Sequence, residues 1–579
     1  MLFNISNGNP GIACDILQYI DNNSSEDISY IWNKPEYKTL ITNVLDKRTY
    51  ELNKKQPDFI QTIKAASVIG EIFNQLYLPD IIEENEFAIN KILATAQKQQ
   101  FIDIYENQNY IYNFFNKIIY QYFDENFNEN KKEYHYKFAI AIKKFKPDDY
   151  YMQFHHLRAS GKVFESLEVL TIYLVRQEFM GHLIDEELKK YLKENSSALF
   201  ENYELFRNAI KEYHKDSLYN ALNQLEYINP VSEVVLYERD YLKAFIIYDV
   251  GNKNDFDEAH DILLENFNIL HNNSFDIWLR SSVLLYIFYV NRLCDFHQAK
   301  LIEKRIVKEV ASRYKYNPDL ENTVQILNRN AGAIYSTEIA LQKTLKSIKY
   351  FKNNLSKEPV QYLMALTNYS GLLMVASDYQ EGFRISKISI DLLHEHKIWI
   401  KDFYKIINNY VINGFLSDEI NCIEALEIYE QLFTDTFLKD KVLLRNNYFY
   451  FKLCNGDTQG LLDEIYKLFK SDAVQKHNDY YIYLIGINTI CIALINNNIQ
   501  VAKLVFEKLN KIIPSICSRE EYYIIQRYSV FEDIIYGKTN ILKNVEDLEN
   551  IFYDKLSVFS YDYPKRPYIL TDQQFWSIF

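Results

Sequence analysis

Two closely spaced histidine pairs are the residues of this sequence best suited by type to hold a metal ion. They are His155 with His156, and His394 with His396. Neighbouring and alternate residues of a helix point to different sides of it, so neither pair makes a chelate by itself. The HExxH spacing of helical zinc sites does not occur. We therefore interpret these histidines as parts of helix surfaces or cores and expect no metal site.

A phosphate-binding loop needs the spacing Gly-x4-Gly-Lys-Ser/Thr, because its backbone amides must close around the phosphate. The string Gly537-Lys538-Thr539 supplies the end of that pattern, but Glu532 stands where the first glycine belongs. The string also falls between predicted repeat helices. We interpret it as coincidence and expect no nucleotide or other cofactor.

One pattern on a predicted helix supports an enzymatic alternative. Arg207 and His214 are seven residues apart, which places them on one helix face two turns from each other. This spacing resembles the metal-independent HEPN ribonucleases, and the resemblance implies His214 as general base and Arg207 as the group that stabilises phosphate charge. A chain with 64 Lys and Arg residues and 11 His meets so loose a pattern easily by chance. We therefore expect no enzyme and keep the ribonuclease as an alternative.

Length and composition favour a modular helical protein. The chain has 579 residues, too many for one ordinary globular core. It has 14 Gly and 11 Pro residues, against roughly 40 and roughly 29 at average usage, and this shortage of helix breakers indicates long helices. Hydrophobic residues make up 48%, which excludes a disordered chain. The formal net charge of −14 argues against a large basic groove for nucleic acid.

The sequence gives no sign of export or of a membrane span. The six cysteines are scattered singly, which fits a reducing compartment better than a disulfide framework. The first residues lack a basic leader followed by an apolar run. The most apolar stretch, 480–495, is too short for a bilayer and contains Asn488 and Thr489. We expect a cytoplasmic protein and interpret this stretch as a buried helix.

The N-terminal part has the pattern of a winged-helix-like domain. Helices are predicted at 58–70, 78–84, 86–98, 117–123 and 130–145, and extended runs at 101–105 and 110–114. Three helices followed by a hairpin make a winged-helix arrangement, so a DNA-binding transcriptional regulator is a second alternative. Helix 86–98 carries Lys91 and Lys98 but also Glu86, and the wing has Glu106 and no Arg. This charge distribution suits phosphate contact poorly, so we expect no nucleic-acid partner.

From residue 148 onward one phrase recurs with a period near forty residues, and no strand pattern persists. A polar break precedes an aromatic or aliphatic residue, one or two polar residues, and a small residue that opens a helix. We expect the small residue to permit close approach where the second helix of a pair crosses the first, and the aromatic residue to fill the adjacent gap. The small residues are Ser166, Ala221, Ala259, Ala299, Thr344 in a weaker copy, Gly382, Ala425, Gly460 and Ala502.

The phrase resembles the second helix of a tetratricopeptide repeat (TPR), with a longer period. It is more similar to the helical repeats of STAND-class regulatory ATPases and maltose-type transcription activators. Gly8-Asn9-Pro10, AASVIGEIF at 65–73 and FHHLRASGKVFESL at 154–167 follow the order of that class. The resemblance implies an NTPase module before Gly8 and a structural role for His155 or His156. We expect this chain to depart from the class in lacking that module, and no helix-turn-helix is recognisable after Leu542.

These observations predict an all-α protein, with an N-terminal winged-helix-like domain followed by a right-handed TPR-like α-solenoid. The expected divisions are a helical lead-in resembling the end of an ATPase module (1–50), the winged-helix-like domain (51–146), the repeat superhelix (147–560) and a cap or tail (561–579). The predicted function is a non-catalytic protein-binding scaffold or a sensor or regulatory subunit. We expect a protein or peptide on the concave face and a separate ATPase or effector as partner. The resemblance points to bacterial signalling or defence.

Overall fold

The protein is an all-α, TPR-like α-solenoid of paired helices, with one small sheet in its N-terminal part. The structure is a computed structural model. It describes residues 13–14, 17, 37–107, 110–125, 130–215, 217–250, 253–269, 274–293, 295–314, 317–395, 403–434, 441–457, 459–475 and 479–537. Gly8-Asn9-Pro10, His396, Lys538-Thr539, the region after Leu542 and the predicted tail at 561–579 lie outside these residues.

The chain divides into two compact units, the first made of residues 1–239 and 272–276. The shortage of helix breakers predicts long helices, and the helices of this unit run from 5 to 19 residues. The helices that begin in this unit are α1 (Tyr37–Lys55), α2 (Phe59–Ile69), α3 (Leu78–Ile82), α4 (Glu86–Lys98), α5 (Lys117–Glu125), α6 (Lys131–Phe145), α7 (Tyr150–Ala159), α8 (Val163–Phe179), α9 (Glu186–Asn195), α10 (Ser197–His214), α11 (Leu218–Glu226) and α12 (Glu233–Val250). The five helices predicted between residues 58 and 145 are confirmed to within two residues at each end.

A three-stranded antiparallel sheet lies among these helices. Its strands are β1 (Ile72–Asn74), β2 (Ile102–Ile104) and β3 (Ile111–Phe114), in the order β1-β3-β2. The inner face buries Phe73, Ile102 and Phe114, and Tyr112 pairs with Phe73 on one side and Ile104 on the other. Both predicted extended runs are confirmed as strands. Strand β1 escaped prediction because three residues are too few to show an alternating pattern.

The second unit is made of residues 240–271 and 277–579. Its helices are α13 (Phe256–Ile269), α14 (Phe275–Phe288, which begins in the first unit), α15 (Phe296–Arg313), α16 (Glu321–Arg329), α17 (Thr337–Asn353), α18 (Pro359–Val375), α19 (Tyr379–Glu395), α20 (Phe403–Leu416), α21 (Cys422–Leu432), α22 (Val442–Cys454), α23 (Leu461–Lys470), α24 (Asp472–Gln475), α25 (Asp479–Ile495) and α26 (Ile499–Ile535). Each helix from α16 to α23 packs on the next one, and α25 packs on α26. Among the described residues, no helix has the length and apolar character needed to cross a membrane.

The small residue of the repeat phrase is buried in every copy except the one at Gly460. Ser166, Ala221, Ala259, Ala299, Thr344, Ala425 and Ala502 are fully buried. At Gly382 an added Cβ would lie 2.5 Å from Oδ1 of Asn413 on α20, closer than van der Waals contact allows. The separation between α19 and α20 therefore depends on the absence of a side chain at residue 382.

Two details of the predicted phrase are wrong. Gly460 precedes α23 with a φ of 73°, and an added Cβ there would meet open space, so it ends a turn and makes no crossing. Phe256 fills a gap as expected, at 5% exposure, but Phe164 and Tyr219 are 54% and 58% exposed. The difference in exposure follows from the spacing along the helix. Phe256 stands three residues before its small residue and shares its helix face, whereas Phe164 and Tyr219 stand two residues before theirs and point away.

Replacing Gly382 with Ala tests the crossing. The added methyl must displace the buried Asn413 side chain, at a cost of about 1–3 kcal/mol, and this outweighs the gain of about 1 kcal/mol from better helix propensity. We expect the free energy of unfolding, measured with urea, to fall by about 1 kcal/mol or more. Gln380→Ala, at an exposed position of the same helix, is the control and should change it by less than about 0.5 kcal/mol. A G382A protein as stable as the control would contradict the tight crossing.

Candidate functional site

Arg207 lies on α10 and pairs with carboxylates of neighbouring residues. Its Nε is 3.0 Å from Oε1 of Glu178 at the end of α8, and its Nη1 is 3.4 Å from Oε2 of Glu204. The hydroxyl of Tyr203 donates to the same Glu178 oxygen at 2.8 Å. Burial, and then this hydrogen bond, raise the pKa of Tyr203. The charge of Arg207 is thus engaged in fastening α10 to α8.

His214 is the last residue of α10 and is exposed. Its ring lies beside Tyr213, with ring centroids 5.5 Å apart, and 6.3 Å from the ring centroid of Phe179. Arg207 and His214 therefore both face the end of α8, on the shared helix face that their spacing predicted. Seven residues correspond to about 10 Å along a helix axis. The ribonuclease assignment stays a prediction.

Helix α4 presents little positive charge. Asn85 caps its start, accepting a hydrogen bond from the Ala88 amide at 2.9 Å. Glu86, Lys91 and Lys98 are exposed, and Phe87 is 80% exposed at the first turn. Two lysines offset by one glutamate leave one net positive charge on this surface, which is weak attraction for a phosphate backbone.

His156 belongs to a buried pair that sequence reasoning did not find. Its Nδ1 lies 2.8 Å from Nδ1 of His135, which joins α7 to α6. Its ring packs edge-on against Phe138 with centroids 4.6 Å apart. The two Nδ1 atoms can share a hydrogen bond only when one carries a proton and the other does not, so the accepting ring must be neutral. The partner was hidden because His135 precedes His156 by 21 residues, on another helix.

Burial controls the protonation of this pair. Burial, followed by the nearby Lys131 and His155, lowers the pKa of His135 to about 4. Burial, followed by His135 and His155, lowers that of His156 to about 3. Within the part of the chain that the structure describes, no three His, Cys, Asp or Glu side chains are grouped to hold a metal ion. The pair therefore acts as a neutral connection between α6 and α7.

A row of buried asparagines links the first helices of successive pairs in the second unit. All its members are at most 6% exposed. This asparagine row consists of Asn330 after α16, Asn368 on α18, Asn408, Asn409 and Asn413 on α20, Asn446 and Asn447 on α22, and Asn488 on α25.

The upper part of the asparagine row joins α16, α18 and α20. Nδ2 of Asn368 donates to the carbonyl oxygen of Arg329 and to Oδ1 of Asn330, each at 3.1 Å. Nδ2 of Asn409 donates to Oγ of Ser370 on α18 at 2.9 Å. The side-chain amides of Asn368 and Asn409 thus each hydrogen-bond to the first helix of the preceding pair, or to the residue that follows it.

The lower part joins α20, α22 and α25. Oδ1 of Asn408 accepts from Nδ2 of Asn447 at 2.7 Å and from the hydroxyl of Tyr429 at 2.8 Å. Nδ2 of Asn488 donates to Oδ1 of Asn446 at 2.8 Å. The hydrogen bonds therefore continue from one pair to the next over five first helices.

Two Asn-Tyr dipeptides of the row, Asn409-Tyr410 and Asn447-Tyr448, contact the second helix of the preceding pair through their tyrosine. Tyr410 stacks on Phe383 of α19 with ring centroids 4.8 Å apart. Tyr448 packs against Phe433 at 5.3 Å and donates to Oε1 of Glu430 on α21 at 3.0 Å. Each Asn-Tyr dipeptide thus binds both helices of the pair before it.

The signal for the asparagine row was present in the sequence. Asn-Tyr occurs at 368–369, 409–410 and 447–448, with a spacing near forty residues. The repeat phrase covers only the start of the second helix, where the small residues stand out, so it does not include the asparagines of the first helix. Buried asparagines inside an apolar helix are uncommon enough to have marked the contact.

Comparisons with known proteins add little to this geometry. No family of known proteins matches the sequence, and no curated protein matches it significantly. Among solved structures, the chain is similar to a signal transduction ATPase with numerous domains (STAND) protein with a tetratricopeptide repeat sensor, from Pyrococcus horikoshii. The identity is 14% and the TM-score 0.29, over 98% of this chain and 71% of that chain. A TM-score that low carries no argument, so the fold description rests on the helices themselves.

The His135–His156 pair predicts loss of stability in acid. Both histidines have a lower pKa folded than the ordinary value of 6.5, so their contribution is complete above about pH 6.5 and is lost as the pH falls toward 4. We expect the free energy of unfolding of the first unit to drop by about 2 kcal/mol between pH 7.5 and 5.5.

His156→Phe keeps the packing on Phe138 and removes one titrating group, so it should reduce that drop by about half. The exposed His394→Gln is the control and should leave the drop unchanged. Urea unfolding followed by circular dichroism at each pH measures it. An equal pH dependence in wild type and H156F would contradict the role of the pair.

Proposed function

We propose that this protein is a non-catalytic protein-binding scaffold that serves as a sensor or regulatory subunit. The observation that carries the proposal is the asparagine row, which fixes five successive first helices relative to one another. A helical stack held in this way presents the same extended surface to a partner each time, so less ordering entropy is lost on binding. The ligand we propose is a protein or peptide that lies along the concave side of the repeat.

Residues 51–146 would carry the output of the scaffold. The order of α2, β1, α3, α4, β2 and β3 supports a winged-helix-like domain. The weak positive charge of α4 and its exposed Phe87 favour contact with a protein over contact with DNA. In this proposal, partner binding in the repeat changes how this domain meets a switch ATPase or another effector protein, in a bacterial signalling or defence setting. The singly scattered cysteines favour the cytoplasm.

Co-purification tests the proposal. The tagged protein is purified from its native cells, the co-eluting proteins are identified by mass spectrometry, and each candidate partner is then titrated against the purified chain by calorimetry. We expect one partner at a defined stoichiometry. Asn409→Ala, which removes a link of the asparagine row, should weaken its binding by about tenfold or more.

His214→Ala is the matched control, because His214 is exposed and makes no contact with the asparagine row. It should bind the partner as wild type does. Cleavage of RNA by the purified protein, abolished in both Arg207→Ala and His214→Ala, would contradict a non-catalytic scaffold and establish the ribonuclease. Partner affinity unchanged by N409A would contradict the role given to the asparagine row.

A further inference from the structure

Arg329, the last residue of α16, has a buried guanidinium with no carboxylate partner among the described residues. The residue is 2% exposed. Its Nη1 donates to the neutral amide oxygen Oε1 of Gln361 at 2.5 Å, and its Nε hydrogen-bonds to no described residue. Burial lowers its pKa to about 10, which leaves the side chain charged at neutral pH.

Two other arginines of the same unit, Arg313 and Arg384, are compensated by acids. Nη1 of Arg313 is 2.7 Å from Oε2 of Glu309, and the exposed Arg384 forms a two-point pair with Glu381 at 2.5 and 2.6 Å. A cation buried without an anion loses its hydration and gains no Coulomb energy in return, which makes such sites rare outside binding sites. Arg329 differs from these two arginines because its buried charge has no described carboxylate beside it.

The start of α18 lies beside this guanidinium. Gln361 is the third residue of that 17-residue helix, which begins at Pro359. The side chain of the preceding Glu358 makes no capping hydrogen bond, because it accepts from Nδ2 of Asn322 at 2.9 Å. The amides of Val360 and Gln361 have no backbone partner among the described residues. An uncapped helix start carries partial positive charge and free N–H groups.

We propose that Arg329 and the first turn of α18 form a binding site for an oxyanion, a carboxylate or a phosphate group. The guanidinium offers its unpaired N–H groups, and the amides of Val360 and Gln361 offer two more donors. The buried guanidinium and the uncapped helix start each favour an anion, and they meet at Gln361. The side chain of Gln361 accepts from Arg329, and its backbone belongs to the first turn of α18. The anion would compensate the buried charge that no described carboxylate compensates.

Glu358 immediately precedes this helix start, with the carboxylate of Asp319 near it, and both charges oppose an incoming anion. Burial, offset in part by the hydrogen bond from Asn322, raises the pKa of Glu358. Removing the charge of Glu358 should strengthen anion binding. If Glu358 were instead the counter-ion of Arg329, removing its charge would not strengthen anion binding and would destabilise the pair.

The test titrates small anions and needs no protein partner, so its outcome is independent of the proposed function. Inorganic phosphate and acetate are added separately to wild type, Arg329→Gln and the control Arg384→Gln, with sodium chloride keeping the ionic strength constant. The thermal unfolding midpoint and calorimetry are recorded. We expect a saturable response in wild type and R384Q, and an affinity at least tenfold lower in R329Q.

The two anions separate the sources of the ligand. A response to phosphate alone assigns a phosphate-bearing ligand, and a response to acetate of similar strength assigns a carboxylate such as an acidic side chain of a peptide. A wild-type midpoint that follows ionic strength only, or an equal response of R329Q, would overturn the site.

Glu358→Gln keeps the test decisive if R329Q fails to fold. This variant retains the hydrogen bond from Asn322 and removes the negative charge next to the helix start. We expect it to bind phosphate about threefold more tightly than wild type or better. Unchanged or weaker binding would contradict the proposal.

Discussion

Hydrogen bonds between buried asparagines set the relative positions of the first helices in the second unit, and the rest of that unit packs around them. An apolar helix face alone allows a neighbouring helix to slide or rotate by a turn at small cost, because one aliphatic contact resembles the next. An amide in the same interface has a partner at only one position. Asn368, Asn409 and Asn447 each supply such a partner, and Gly382 provides the close approach that brings Asn413 against α19.

The asparagine row contributes more to specificity than to stability. A buried hydrogen bond is worth about 1 kcal/mol net. Nδ2 of Asn408 and Oδ1 of Asn409 and Asn413 hydrogen-bond to no described residue, which subtracts part of that gain. The larger stabilising contribution comes from the apolar clusters around the row, such as the one built on Ile412, Tyr429 and Phe451. The desolvation penalty of a buried amide nearly cancels its hydrogen-bond energy, so such amides add little stability. They favour the one helix arrangement in which their hydrogen bonds can form.

Much of the fold follows from composition and periodicity. The shortage of glycine and proline predicted helices. The recurring small residues predicted the buried positions of Ala299 and Ala425 and the tight crossing at Gly382. Gly460 was misassigned because a glycine that ends a turn and a glycine at a crossing look alike in sequence. Contacts between distant residues could not be predicted, since nothing local shows that His156 meets His135 or that Arg207 meets Glu178. The asparagine row lies between these cases: its period was visible, but its side-chain partners required the structure.

The central claim is that the asparagine row makes neighbouring helical pairs behave as one rigid unit. Amide hydrogen exchange in wild type and Asn409→Ala tests it most directly, with Asn353→Ala at the exposed end of α17 as control. The account predicts that N409A lowers protection by about tenfold both in α20, which carries the substitution, and in α18, which receives its hydrogen bonds. Loss of protection confined to α20, with α18 as protected as in wild type, would contradict it.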